Sequence, residues 1–419
     1  MRRCSNSPRR NQHGVLLALL VLSVIASAAS PSSAQAQAND LADAIKAVLS
    51  VKTDGSGSAA AAVAFPVLAN ATPDQLPTLL AALDDANPLA ANWIYGSIDA
   101  IVGRAERAGD SLSAEQMHAF ASDPSHSPRA RERAYMLLQK TDAGMAETMV
   151  AGFLYDPSPI FRRQGVANLI EEANELAEGG QEDQAQELYE RAYNSALDED
   201  QVNDVAKKLV DAGKEVDLPR KFGYLTHWRL IGPFDNPENG AFDKAYPPEE
   251  LTLDNYNGEN GIHSDVTFEG KLGEVSWKDF ATGEDNGEVN LNVALAEEPA
   301  AIGYGATIYT SDEARDAELR LRIQNAFKVW VNGELVMAQP IGHTGNFFDQ
   351  YTVPVKLRQG PNLILVKSVQ IEPPMANPWF SAWQFCVRVS DETGAALLAS
   401  DRPPTPEKDA VDAEDGDGQ

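Results

Sequence analysis

Cysteine is almost missing from this 419-residue chain, which has only Cys4 and Cys386. Cys4 precedes an apolar run read below as a cleaved segment. The mature chain then keeps one cysteine and forms no intramolecular disulfide, and Cys386, between Phe385 and Val387, reads as a small buried hydrophobe. Histidine is scarce too. None of His118, His126, His227, His263 and His343 has a partner at a spacing such as H-x-x-x-H, and no cysteine pair exists for structural zinc. Bases are few: 34 Lys and Arg stand against 62 Asp and Glu, for a net charge of −28. Such a chain repels phosphate backbones, which argues against nucleic acid as a partner.

Catalytic signatures are also lacking. There is no G-x-S-x-G elbow and no Walker loop. Gly303-Tyr304-Gly305 opens like a dinucleotide fingerprint, but Ile308 stands where the third glycine belongs and no helix pattern follows; it reads as a turn. Glycoside hydrolysis needs two carboxylates facing each other across a cleft. Among 62 acidic residues some pair always looks suitable, so abundance carries no information. The chain reads as non-enzymatic and without a cofactor.

Long apolar runs are absent except for one. Val15 to Ile25 is apolar apart from Ser23 and follows Arg2, Arg3, Arg9 and Arg10. It is shorter than the roughly 20 residues needed to span a bilayer. Small residues come next, with cleavage positions at Ala28, Ala36 and Ala38. This is the pattern of a secretory signal, here bounded as residues 1–38. The expectation is an exported protein, periplasmic or extracellular, with no membrane span after cleavage.

What remains has two periodicities. Residues 39–217 are rich in Ala, Leu, Glu and Gln, with apolar residues three and four apart, which predicts helices. Thr72-Pro73, Asn87-Pro88, Ser127-Pro128 and Ser158-Pro159 mark helix starts, since a capping oxygen is followed by a proline that gives up no needed donor. Asp123-Pro-Ser leads to Pro128, Arg131, Ala134 and Leu138. Asp156-Pro-Ser leads to Pro159, with Arg162, Gly165 and Leu169 at the same offsets from Pro159 as Arg131, Ala134 and Leu138 have from Pro128. These units resemble HEAT-like repeats, and Gln184 to Ala196 resembles a tetratricopeptide-type helix, so an α-solenoid is expected; an irregular helical bundle is the alternative.

Residues 218–400 favour Val, Ile, Tyr, Phe, Trp and Thr in short alternating runs. Leu319–Ile323, Phe327–Val331, Tyr351–Leu357, Leu363–Val369 and Trp383–Val389 predict strands, and Asn332-Gly333 predicts a hairpin. Phe327, Val329 and Val331 should face a core, with Lys328 and Trp330 opposite. Gly232-Pro233 should turn the chain after a strand at Tyr224–Ile231. The expected class is therefore multidomain, α then β, ending in an antiparallel β-sandwich. Residues 401–419, proline-rich and then acidic, should be a disordered tail.

The second half also carries a resemblance. Trp228-Arg-Leu-Ile-Gly-Pro-Phe-Asp-Asn236, Gly240-Ala-Phe-Asp243, Tyr246-Pro-Pro-Glu249, Trp277, Phe327-Lys-Val-Trp-Val-Asn-Gly333, Leu357-Arg-Gln-Gly-Pro-Asn-Leu-Ile-Leu-Val-Lys367 and Trp383-Gln-Phe385 resemble a module of exported planctomycete-type proteins. That module is built on a galactose-binding-like jelly roll, similar to the first domain of family 2 glycosidases, and often follows helical repeats. The resemblance implies recognition of a glycan or another cell-envelope polymer, with helical repeats presenting a surface to a protein partner. A scaffold with protein-only contacts, and an accessory role in polysaccharide hydrolysis, are the alternatives. Candidate ligand residues are Trp277, Trp330 and Trp379 as ring platforms, with Asn332, Asn377 and Asp235 as polar partners. A structural calcium near Asp235, Asn236 and Asp243 is a further expectation.

Overall fold

The computed structural model describes residues 31–255, 266–342, 345–372 and 382–408. The expected signal, the loop with Asn377 and Trp379, and the tail from 409 lie outside the described residues. Among the described residues no helix is long and apolar enough to cross a membrane. Helices occupy the first part of the chain and antiparallel sheets the second.

The chain divides into two compact units, 1–113 and 114–419. The first contains α1 (Pro31–Leu49), α2 (Ser58–Ala69), α3 (Leu76–Ala81) and α4 (Pro88–Ala108). Asn87 caps α4 by accepting from the amides of Leu89 and Ala90. Leu68, Leu76, Leu79, Ile94, Ile98 and Ile101 are fully buried. Arg104 on α4 donates to the carbonyl of Ala69 at 2.6 Å, satisfying a carbonyl at the end of α2.

The second unit begins with α5 (Ala114–Ser122), α6 (Pro128–Thr141), α7 (Ala143–Met149), α8 (Pro159–Glu178), α9 (Glu182–Ser195), α10 (Glu199–Asp211) and α11 (Leu218–Phe222). Ser127 and Ser158 cap α6 and α8 through the amides of Ala130 and Phe161. The spaced residues link the two units of sequence. Arg131, 3% exposed, makes a two-pronged ion pair with Asp156 at 2.9 and 2.6 Å and also donates to the Ala121 carbonyl. Arg162 donates to the Asp156 carbonyl at 2.9 Å. Gly165 is small because a Cβ there would lie 2.7 Å from the Leu154 amide nitrogen.

Twelve strands follow among the described residues: β1 (His227–Asp235), β2 (Thr267–Gly270), β3 (Gly273–Ser276), β4 (Lys278–Ala281), β5 (Val289–Asn290), β6 (Ala301–Ser311), β7 (Arg315–Arg322), β8 (Ala326–Val331), β9 (Glu334–Gln339), β10 (Tyr351–Leu357), β11 (Gly360–Val369) and β12 (Gln384–Ser390). A short α12 (Leu291–Ala294) follows β5. One sheet has the order β4-β1-β6-β11-β8-β9, a second β10-β7-β12-β5, and β2 pairs with β3 alone. The core between the two larger sheets holds Phe327, Val329 and Val331 from β8 with Trp383, Phe385, Val387 and Val389. Lys328 and Trp330 face the other way, as the period-2 alternation requires.

Three expectations are corrected. Gly303-Tyr304-Gly305 is not a turn but the interior of β6. Its glycines make room for rings, since a Cβ would lie 2.8 Å from Trp383 at Gly303 and 2.6 Å from Phe385 at Gly305. Gly232-Pro233, a cis peptide, does not end its strand: β1 continues through it with a bulge between Ile231 and Phe234. The tail does not leave the body at 401. Arg402 donates to the Tyr224 carbonyl at 2.6 Å and Thr405 to the Asp217 carboxylate at 2.9 Å.

The compact units also divide inside the helical stretch rather than at Leu218. Leu169, Ala192, Val202, Val205 and Leu209 share one core with Phe222, Tyr224 and Cys386 of β12. Arg322 on β7 is paired with Glu199 on α10.

Candidate functional site

The motif residues of the second half assemble first into a buried lock. The segment after β1 crosses the outer face of the six-stranded sheet, where Phe234, Tyr246, Trp277, Tyr304, Leu363 and Leu365 form a second apolar layer. Lys367 on β11 is fully buried. Its ammonium donates to the carbonyls of Phe242 (3.0 Å) and Lys244 (2.7 Å) and to Glu249 Oε1 (2.9 Å). Tyr304 donates to the same carboxylate oxygen at 2.6 Å. Burial pushes the Lys367 ammonium below its ordinary value despite the opposing pull of Glu249, and burial followed by Glu249 pushes the Tyr304 phenol up. Every donor of Lys367 is used, so this cluster holds the covering segment rather than awaiting a ligand.

The expected site residues fall into different places. Trp277 is 6% exposed and belongs to this outer layer, and Trp330 packs partly buried against it. Trp277 therefore offers no open ring, a correction to its expected role as a platform. Asp235 is exposed at the end of β1. Trp379 and Asn377 lie outside the described residues. Two of the residues named for calcium are engaged in other contacts. Asn236 is fully buried, spends its oxygen on the Ala241 amide and donates to the Gln370 carbonyl, while Asp243 is paired with Lys328 at 2.8 Å. Among the described residues no group of three or more His, Cys, Asp or Glu is placed to hold a metal.

Asn332 stands elsewhere, on the rim of a groove of about 670 Å³ at the open side of the sandwich. The walls come from the β8–β9 hairpin, from β10 and the turn after it, and from the turn before β7. β9 and β10 end their sheets, and their outer edges have no strand partner among the described residues. The floor is aliphatic: Val331, Val336, Val355 and Leu357. Polar groups ring it, namely Asn332, Glu334, Asp316, Lys356, Arg358 and Gln359. Lys356 and Asp316 pair at 2.7 Å, and that hydrogen bond with its charge raises the ammonium above its ordinary value.

Local sequence explains the rim. Asn332 and Gly333 both have positive φ (54° and 84°), as a two-residue hairpin of this hand needs. Asn332 donates to Asn362 Oδ1 at 2.9 Å and accepts from the Leu363 amide at 3.0 Å. Asn362, fully buried, accepts from the Arg358 amide and donates to the carbonyls of Arg358 and Gly360. Sequence reasoning missed Asn362, Arg358 and Gln359. The Gly-Pro-Asn-Leu run was their one visible signal.

A smaller cavity of about 160 Å³ is lined by Thr226, His227, Thr307 and Arg402. Burial, then the Arg402 charge, holds the His227 ring below its ordinary value. The Thr307 hydroxyl donates to the His227 carbonyl at 2.8 Å, so it is not aligned on the ring as a nucleophile would be.

No family model and no curated protein matches the chain. Among solved structures it is similar to the beta-glucosidase from Kluyveromyces marxianus, in a selenomethionine-labelled structure and in a complex with glucose. Each match has 16% identity and a TM-score of 0.22, and covers 39% of this chain and 16% of that one. The chain thus spans a small part of that enzyme's length, and a score this low carries no argument.

Proposed function

We propose that this is an exported, non-catalytic binding protein. In this reading the sandwich is a galactose-binding-like jelly roll that takes its ligand in the edge groove, and the helices of the second unit are a short HEAT- and tetratricopeptide-like stack facing a protein partner. The observation that carries it is the groove itself: an aliphatic floor ringed by polar side chains, within the size range of ligand sites.

Among the described residues no aromatic side chain lines the groove, which favours a segment of polypeptide over an unsubstituted sugar chain, since sugars are held on ring faces. A glycan reading would rest on Trp379 instead. The two readings separate on paired glycan and peptide arrays probed with the mature chain and with Pro354→Trp, which fills the groove from an exposed position. Peptide binding that falls at least about tenfold in the variant supports the proposal. Glycan binding untouched by the variant, or measurable glycan turnover, would overturn it.

A further inference from the structure

We infer that the outer face of α2, together with the groove at its C-terminal end, docks a cationic amphipathic helix of a partner protein. The inference concerns the first unit and does not rest on the edge groove of the sandwich, so either can fail alone.

It begins with a helix that has no polar side. α2 reads Ser-Ala-Ala-Ala-Ala-Val-Ala-Phe-Pro-Val-Leu-Ala, without a charged residue. It packs against α1 and α4, with Ala61, Ala64 and Leu68 buried. Phe65 meets the Trp93 ring of α4 edge-on at 5.7 Å. The outward positions are apolar too. Residues 59, 63, 66, 67 and 70 share one side by their spacing of three and four. On that side Val63 is 80% exposed and Val67 43%, and Ala59 and Pro66 are exposed with them. A helix that is apolar all round is ordinarily covered all round. Pro66 also has no amide to give the Ala62 carbonyl one turn back, which leaves an acceptor for water or a partner's donor.

The stripe runs into a groove of about 520 Å³. Pro66, Val67 and Asn70 from the end of α2 line it, with Asp40 and Leu41 from α1 and Asp74 beyond α2. Asp40 and Asp74 are exposed, as is Asp43 one turn further along α1. None of these three carboxylates has a hydrogen-bond or ion-pair partner among the described residues. Two bases stand near. Arg104 is committed to the carbonyls of Ala69 and Ala71 and does not line the groove. Lys46, in the last turn of α1, is six residues from Asp40, about 9 Å along the helix.

Apolar surface and charge together select the occupant. A partner helix with one apolar face covers Val63, Pro66 and Val67, while lysine or arginine near its end meets Asp40 and Asp74. An uncharged apolar segment would bury those carboxylates without partners. The net charge of −28 draws a cationic partner in, and it repels a second copy of the chain and any nucleic acid.

The test uses two synthetic peptides of one composition, Leu, Ala, Lys and Arg, each about 18 residues long so that a helix can form. In one the leucines recur three and four apart; in the other the order is shuffled so that no apolar face exists. Fluorescence anisotropy follows the binding of each to the mature chain. The amphipathic peptide should bind at least about tenfold more tightly than the shuffled one, and more weakly as salt rises. Val63→Gln and Val67→Gln, both at exposed positions, should each weaken it about fivefold at unchanged melting temperature. Asp40→Asn combined with Asp74→Asn should weaken it to a similar degree and flatten the salt dependence. Four results would overturn the inference: equal binding of the two peptides; binding indifferent to all these variants; a precursor that refuses the peptide its mature form takes, which would assign the face to the chain's own basic and apolar residues 1–38; or a dimer of the mature chain that Val63→Gln dissociates, which would assign it to a second copy.

Discussion

Single residues decide where backbone and rings meet. Gly303 and Gly305 lie in β6 where a methyl group would strike Trp383 and Phe385. Gly305→Ala is therefore expected to destabilise the second unit by about 1–3 kcal/mol, read as a lower denaturant midpoint with unchanged slope. Asn362 is a second such position, its side chain satisfying backbone groups of the Arg358–Gly360 turn and accepting from the Asn332 side chain at the hairpin end of the groove rim. A third is Asp349. Burial raises its carboxyl, but the hydrogen bonds and charge of Arg388, then of Arg320, outweigh that and hold it below its ordinary value. A depressed carboxyl contributes stability that is present above its unfolded value of about 3.9 and is lost as pH falls through the lower folded value. Urea midpoints should therefore drop more steeply below about pH 4 in the wild type than in Asp349→Asn. At neutral pH that variant should lose about 3–5 kcal/mol, because Arg388 stays buried without its partner. Equal acid slopes in the two proteins would contradict the assignment.

Elements were legible in the sequence to different degrees. The strands with clean alternation, β8 and β12, have the faces that their spacing predicts, because one side of each lies in the inter-sheet core. The β8–β9 hairpin was legible from Asn332-Gly333 alone. β6 was not. Both its faces are covered, so it shows no alternation, and its glycines imitate a turn signal. β1 was cut short for a related reason: a Gly-Pro pair reads as a break, although a bulge absorbs it within the strand. In α6 and α8 the repeated arginine and small residue were visible. The partner of Arg131 was not, since Asp156 stands 25 residues away. Arg131→Ala is expected to destabilise the helices of the second unit by about 3–5 kcal/mol by leaving Asp156 buried and unpaired. A loss under about 1 kcal/mol would show that this link does not hold the repeats together.

At the scale of the whole molecule, the division at residues 113 and 114 follows from packing that periodicity does not reveal. A helix facing a sheet has the same spacing as a helix facing a helix, so α8, α9 and α10 gave no sign that they share a core with β12. A fragment of residues 114–408 is expected to fold with one cooperative transition, whereas residues 218–408 should fold poorly because Tyr224 and Cys386 lose their cover. The groove was illegible for a similar reason: edge strands and distant turns make it, and no local pattern announces which strands will be edges. Its working role is tested most directly by a photo-crosslinking amino acid placed at Gln359 on the groove rim, or at exposed Val293 as control, in cells that export the protein. The account predicts a discrete protein adduct from Gln359 that is absent from Val293 and is removed by Pro354→Trp. Equal adducts at both positions, or none at Gln359, would contradict it.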